Sequence, residues 1–274
     1  MLRGKLLSKL PLTYTQKRFK EVTPCWLPIC GVEIKKIPRT NTEKCRVASF
    51  LAKHYFPDEP VLVAAGLNSE KPNPGILQYL LTGMNDDMAL YAMVQESREI
   101  LGVAIARSTT PTTVYELRSY ADKLGMNTAR RYMHFLSQVE ERANIYKSFQ
   151  TEKSWSIDLL AVNKLFRRRG IAKMLLDGMK DMATRNKSFE VMHFTASNLY
   201  GSQAAYKCGG LKSHFKRPLS SYKDALGVPW ITRELCVPHT SIEVFTRNLK
   251  AALPPEKKPE PTCYRYGLEK YDEV

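Results

Sequence analysis

Apolar and polar positions change their period along this chain, and the changes mark its elements. Residues 30–37, CGVEIKKI, alternate and predict a first strand. Residues 41–56 predict an amphipathic helix capped by Asn41 or Thr42. Residues 56–67 read as a loop leading into a mostly apolar stretch, and 73–84 as a second helix. In residues 89–108 two apolar runs flank the polar QESRE and predict a hairpin. Residues 113–149 are helical, with breaks at Gly125 and Asn127. SWSIDLLAV (154–162) and FEVMHFTAS (189–197) predict buried strands, with His193 alternating out of the second. Between them lies a helix over 170–186, with Ile171, Met174, Leu175, Met179 and Met182 near one face. A short helix at 202–208, closed by Gly209 and Gly210, and strands at 211–215 and 241–249 complete the pattern. The order of elements alone predicts an α/β or α+β chain without internal repeats.

Composition separates the ends from the middle. Residues 1–28 read as a basic extension ending in TPCWLP, 29–250 as one domain, and 251–274 as a tail with the proline-rich spacer PPEKKPEP. The first twenty residues hold six basic side chains and no acidic one, with Leu2, Leu6, Leu7 and Leu10 available to one helical face. That is the pattern of a mitochondrial transit peptide or of a disordered basic tail. The cytoplasm is the expected compartment, with the mitochondrion as the alternative. Nothing approaches the roughly 20 apolar residues of a membrane span, so a soluble protein with no membrane partner is expected. The cysteines 25, 30, 45, 208, 236 and 263 are scattered without a matched CxxC pair. Reduced thiols are expected, and no metal site.

A net charge of +15 draws polyanions. The basic residues are spread through the chain without interleaved aromatics, so a nucleic-acid partner is not expected. The densest local charge is in LFRRRGIAKMLL, residues 165–176, where three arginines meet the start of the predicted helix. A helix N-terminus already carries about half a positive charge, so the run is either a solvated turn or an anion site. Glycine at 170 allows close backbone approach, and free N–H groups at a helix start bind phosphate oxygens. The GxxxxGK[ST] and GxGxxG patterns are both missing, so this is neither a Walker A loop nor a dinucleotide fingerprint.

These residues carry a resemblance. IDLLAVNKLFRRRGIAKMLL is similar to the coenzyme-A-binding segment of the GNAT-type N-acetyltransferases, a strand, a [QR]-x-x-G-x-[GA] loop and a helix, with Arg167, Gly170 and Ala172 at its fixed places. SQAAYKCGGL resembles a second segment of that superfamily through Tyr206 and Gly210, with Leu211 in place of an aromatic. HYFPDEPV, with its D-E-P, GSQ at 201–203, SYKD at 221–224 and PHTSIEVFTRNL at 238–249 resemble elements of the insect-type arylalkylamine N-acetyltransferases. Gly201 replaces that family's tyrosine beside the serine. The likeness runs over roughly residues 30–250.

The resemblance implies a GNAT fold, a central mixed and mostly antiparallel sheet flanked by helices with the cofactor in a splay between two central strands. It implies acetyl transfer from acetyl-CoA to a small primary amine, an arylalkylamine, by a monomer without metal. Arg167, Arg168, Arg169, Gly170, Ile171, Ala172 and Lys173 would hold the pyrophosphate, and Ala161 and Val162 the pantetheine arm. Glu59 would be the base, acting through water, because an alkylammonium of pKa about 10 has no lone pair to attack with. For DEP the plain alternative is a solvated turn. Ser202 would relay a proton or orient substrate, or simply cap its helix. Tyr206 would protonate the departing thiolate, or pack as a core aromatic. His239 falls in a family-like motif. A polyamine, amino acid or protein lysine as acceptor, a longer acyl donor, and a non-catalytic basic binding module are the other readings. Gly201 puts the amine in doubt more than the reaction.

Overall fold

The structure, a computed structural model, describes residues 31–68, 71–125, 127–224, 226–230 and 238–250. The extension 1–28, the tail 251–274 and Cys25, Cys30, Cys236 and Cys263 lie outside the described residues.

Strand β1 (Val32–Lys36) leads to helix α1 (Asn41–His54), which is capped by Thr40, not Asn41 or Thr42. Thr40 is extended, and its hydroxyl accepts from the Glu43 amide at 3.2 Å. The apolar run after DEP is a short helix, α2 (Pro60–Ala64), because Pro60 at its first position has the φ a helix start needs. The helix expected over 73–84 is divided into α3 (Pro74–Leu80) and a 3₁₀ turn at Thr82–Asp86. Gly83 in that turn lies against the sheet so closely that a Cβ would fall 1.9 Å from the Ala106 carbonyl oxygen. The hairpin is β2 (Ala89–Val94) and β3 (Ile100–Thr109). Helices α4 (Thr113–Lys123) and α5 (Thr128–Ala143) break where Gly125 and Asn127 stand, with Asn127 capping α5, and the left-handed Asn144 divides α5 from α6 (Ile145–Phe149). Strand β4 (Ser154–Val162), helix α7 (Ile171–Arg185), strand β5 (Val191–Ala196) and helix α8 (Leu199–Lys207) follow. Strands β6 (Lys212–Pro218) and β7 (Ser241–Asn248) close the fold.

The seven strands form one sheet in the order β1-β2-β3-β4-β5-β7-β6. All neighbours are antiparallel except β4 and β5. That parallel pair is short: Ser154–Ile157 matches Val191–Phe194 and goes no further. Beyond it β4 pairs only with β3, and Thr195 and Ala196 only with β7. The two central strands therefore part and leave a wedge-shaped cleft.

A β-bulge sits at the parting point. Ile105 pairs with Leu159 but Ala106 with Ile157, so Asp158 is the extra residue. A bulge resets the two-residue alternation of a strand. Trp155 and Ile157 accordingly face α7, whereas Leu159 and Ala161 face the α1–α5 side. The two faces carry separate cores. One holds Val47, Leu51, Phe56, Leu62 and Phe135, and the other Trp155, Ile171, Leu175, Leu176 and Met179. Each such buried side chain contributes about 1.5–3 kcal/mol relative to exposure. Met174, expected on the buried stripe of α7, points outward, and Leu176 takes its place. His193 also departs from expectation. It is fully buried, with Nδ1 2.7 Å from the Ser154 hydroxyl and Nε2 3.7 Å from Glu140.

Candidate active site

The DEP turn spans the mouth of the cleft. Glu59 is the N-cap residue of α2, and Pro60 fixes the turn that directs its side chain inward. The residue is 6% exposed. One oxygen accepts from the Ser197 hydroxyl at 2.6 Å and the other from the Asn198 amide at 3.1 Å, both in the β5–α8 connection. Burial pushes the Glu59 carboxyl above its ordinary range. Hydrogen bonds from Ser197, Asn198 and the Val61 amide, and the Arg167 charge, only partly offset it. A carboxyl raised in this way is a better base than a solvated one. Asp58 faces the other side and accepts from Arg167 at 2.9 Å.

Beyond β4 the chain makes a turn at Lys164–Phe166 and then takes up the strained loop before α7. Arg168 and Gly170 both have left-handed backbone, φ 64° and 83°. A Cβ at Gly170 would meet nothing within 4 Å, so the demand for glycine is conformational and the space in front of the loop is open. No side chain caps α7 and no acidic residue lies in its first turn. The amides of Ile171, Ala172 and Lys173 thus lack an intrahelical partner and face that open space, the geometry of an anion cradle. The described residues fit a pyrophosphate here, and a first turn without a carboxylate favours it further.

The side chains of this loop divide their work. Arg167 turns inward, and its guanidinium donates to the carbonyls of Val162 at 3.1 Å and His54 at 3.4 Å as well as to Asp58. It ties the loop to α1 and the DEP turn. Lys173 pairs with Asp177 at 2.6 Å, and the Arg169 guanidinium lies 5.5 Å over the Phe166 ring. Arg168 and Arg169 are exposed at the mouth. Ala161 and Val162 pair with Val103 and Gly102 across β3, on the stretch of β4 that has no β5 partner.

Ser202 and Tyr206 gather around a different carboxylate. They lie one turn apart on α8, which begins at Leu199 with Asn198 as its cap, so Ser202 is not the cap residue. The Tyr206 and Ser213 hydroxyls each donate to one oxygen of Glu243 at 2.6 Å, Lys216 stands 3.4 Å from the other oxygen, and the nearby Ser202 hydroxyl also favours its ionised form. Burial would raise Glu243, but these donors hold it below its usual value. Tyr206 is 59% exposed, and its bond to Glu243 raises its own pKa. It is therefore not a core aromatic. Gly201 packs on β5, where a Cβ would lie 3.4 Å from that of Ala196. His239 accepts from the Leu199 amide at 3.2 Å and so braces the start of α8.

Behind Glu59 a narrow cavity of about 50 Å³ runs into the α1–α5 side. Tyr55, Tyr79, Tyr132, Phe135, Arg107, Glu140, Asp158 and Ser197 line it. Sequence reasoning missed all of these, as well as Asn198 and Glu243. No motif marks them, and Arg107, Asp158, Glu140 and Glu243 stand as single charged residues inside strands and a helix. Among the described residues no cluster of histidine, cysteine and acidic side chains could hold a metal, and no helix is long and apolar enough to cross a membrane.

A mostly antiparallel sheet that opens between its single parallel pair, with an uncapped helix start at the opening, is the acyl-CoA N-acyltransferase architecture. The family model described as acetyltransferase (GNAT) family matches residues 68–210, just over half of the chain. The chain belongs to that family and is on that ground an N-acetyltransferase. The matched span includes the 167–173 loop and Tyr206 and leaves Glu59 outside. Among solved structures, the mosquito arylalkylamine N-acetyltransferase like 5b superposes with a TM-score of 0.72 at 17% identity, covering 79% of this chain and 99% of its own. Arylalkylamine N-acetyltransferase 2 from Aedes aegypti gives 0.70 at 20% identity, covering 80% and 99%. The Drosophila melanogaster polyamine N-acetyltransferase, which forms N-acetylagmatine, gives 0.70 at 18%, covering 79% and 99%. At these identities the likeness is one of fold. No curated protein sequence matches the chain.

Proposed function

We propose that the protein transfers the acetyl group of acetyl-CoA to a small primary amine of the arylalkylamine class, with Glu59 as the general base. The observation that carries this reading is the buried Glu59 carboxylate, held by Ser197 and Asn198 at the open end of β5. The pyrophosphate of acetyl-CoA binds the amides of the 167–173 loop, with the exposed Arg168 and Arg169 as its cations, and the pantetheine arm lies along Ala161 and Val162. The ammonium gives a proton to Glu59 through water, and the freed nitrogen attacks the thioester carbon. The N–C bond forms, the C–S bond breaks, and the nitrogen sheds its second proton as the amide appears. A β4 amide facing the cleft stabilises the oxyanion. Tyr206 returns a proton to the thiolate, which requires its hydroxyl to leave Glu243, and Ser202 keeps Glu243 solvated when it does.

The test is release of free thiol from acetyl-CoA across tryptamine, dopamine, octopamine, spermidine and a lysine peptide. Turnover with an arylalkylamine, lost in Glu59→Gln, supports the reading. Equal turnover by Glu59→Gln removes the base assignment, and turnover confined to the peptide or spermidine removes the acceptor class.

A further inference from the structure

We propose that Arg107 is the acceptor-specificity residue: its guanidinium occupies the place of a second substrate cation and restricts the pocket to amines bearing a single positive charge. The inference rests on the acetyltransferase reading and on the cavity behind Glu59 being the acceptor pocket. Ser197 supports both points, because it holds the Glu59 carboxylate and lines that cavity.

Arg107 comes from β3 and reaches into the cavity with its Nε 2.5 Å from an Asp158 oxygen. Its guanidinium carbon stands 4.4 Å over the Tyr79 ring. The bulge that parts β4 from β5 also turns Asp158 toward Arg107, and Ser156 donates to the second Asp158 oxygen at 2.5 Å. The other acidic group of the cavity, Glu140, accepts from Tyr146 at 3.0 Å and faces His193. A diamine or guanidino-amine needs one of two partners at its far end, an unengaged carboxylate or an open aromatic face. Here Asp158 is matched by Arg107, Glu140 by its own partners, and the Tyr79 face is covered by the guanidinium. A second cation would also meet Arg107 in a desolvated space, where like charges repel strongly. A flat neutral tail meets none of these costs, and Tyr55, Tyr132 and Phe135 offer it aromatic surface.

The experiment compares tryptamine with agmatine, by kcat/KM for thiol release and by calorimetric Kd in the presence of coenzyme A. The parent should favour tryptamine by about 100-fold in both. Arg107→Gln frees Asp158 and should shrink that preference at least tenfold, mainly through a gain on agmatine. Arg107→Lys keeps the charge and should hold the parent's preference, as should Arg107→Gln/Asp158→Asn, which removes cation and carboxylate together. If Arg107→Gln does not give a cooperative thermal melt, Asp158→Asn decides the matter: it leaves the Arg107 cation unmatched and should raise the KM of agmatine at least tenfold with the KM of tryptamine little changed. A parent that prefers agmatine, an Arg107→Gln that moves both amines alike, or an Asp158→Asn without effect on the KM of agmatine overturns the proposal. A binding preference for tryptamine without turnover sustains the pocket assignment and removes the catalytic one, and binding of neither amine overturns it.

Discussion

Asp58 and Glu59 are adjacent in the chain, yet their carboxylates grip opposite lips of the cleft. Asp58 accepts from Arg167 in the loop after β4, and Glu59 from Ser197 and Asn198 after β5. One tight turn, set by Pro60, thus spans the gap between the two strands that part. The same turn that fixes the opening also desolvates the carboxylate proposed as base.

Glu59→Gln should keep the fold, since an amide of the same shape can still accept from Ser197. If the carboxylate is the base, kcat/KM should fall by about 10²–10⁴. Steady-state thiol release alongside a circular-dichroism melt checks this. A fall in melting temperature with little change in rate would assign the side chain to structure alone.

The raised Glu59 pKa sets a pH signature. Activity should rise with pH along a limb centred above the roughly 4.3 of a free glutamate. Ser197→Ala and Asn198→Ala should each move that limb further up, because both hydrogen bonds favour the ionised form. The folded pKa exceeds the unfolded one, so the folded state binds the proton more tightly. This contribution to stability is fully present below the unfolded pKa and is lost as pH climbs through the folded pKa. Urea denaturation across that window should show this contribution as the difference in pH slope between parent and Glu59→Gln, because the other carboxylates titrate in both.

Gly170→Ala places a Cβ on a residue with φ 83°. About 1–2 kcal/mol of stability should be lost through backbone strain. The KM for acetyl-CoA should rise more than that for the amine, because the strain is relieved by moving the amides of Ile171 and Ala172. Arg167→Ala removes an ion pair that is partly exposed and two donations to carbonyls, and about 1–2 kcal/mol should follow. Denaturation curves and two-substrate kinetics separate the pair.

Tyr206→Phe deletes the hydroxyl that rests on Glu243 and leaves the ring against Phe245, 4.9 Å away. As donor to the thiolate it should carry about tenfold or more of kcat, with the KM values little changed. A shift confined to the melting temperature would make the hydroxyl a brace for Glu243.

Gly83→Ala tests the packing of the 3₁₀ turn on β3. The added methyl would meet the Ala106 carbonyl oxygen and Ile105 Cγ2, at 1.9 and 2.7 Å. Neither is the end of a flexible side chain, so a loss of about 3 kcal/mol is expected. Urea denaturation measures it directly.

Local pattern was enough to determine most elements and one half of the site. Strands 154–162 and 189–197, the hairpin and the helix after Arg169 are written in neighbouring residues, because their periodicity and stop signals act over a few positions. The cradle before α7 was legible for the same reason: glycine, cations and helix start are contiguous. What only tertiary structure decided lies in contacts across long separations. The bulge at Asp158 depends on β3–β4 register, and it reverses which side of β4 faces which core. Strand alternation alone points His193 outward, but Ser154 and Glu140 pair with it from elements far away in sequence. Motif alone groups Ser202 and Tyr206 with Glu59, yet Glu243 on β7 gathers them. Arg107, Asp158 and Glu140 carried no motif, since a buried charge declares itself only when the fold shows what pairs with it.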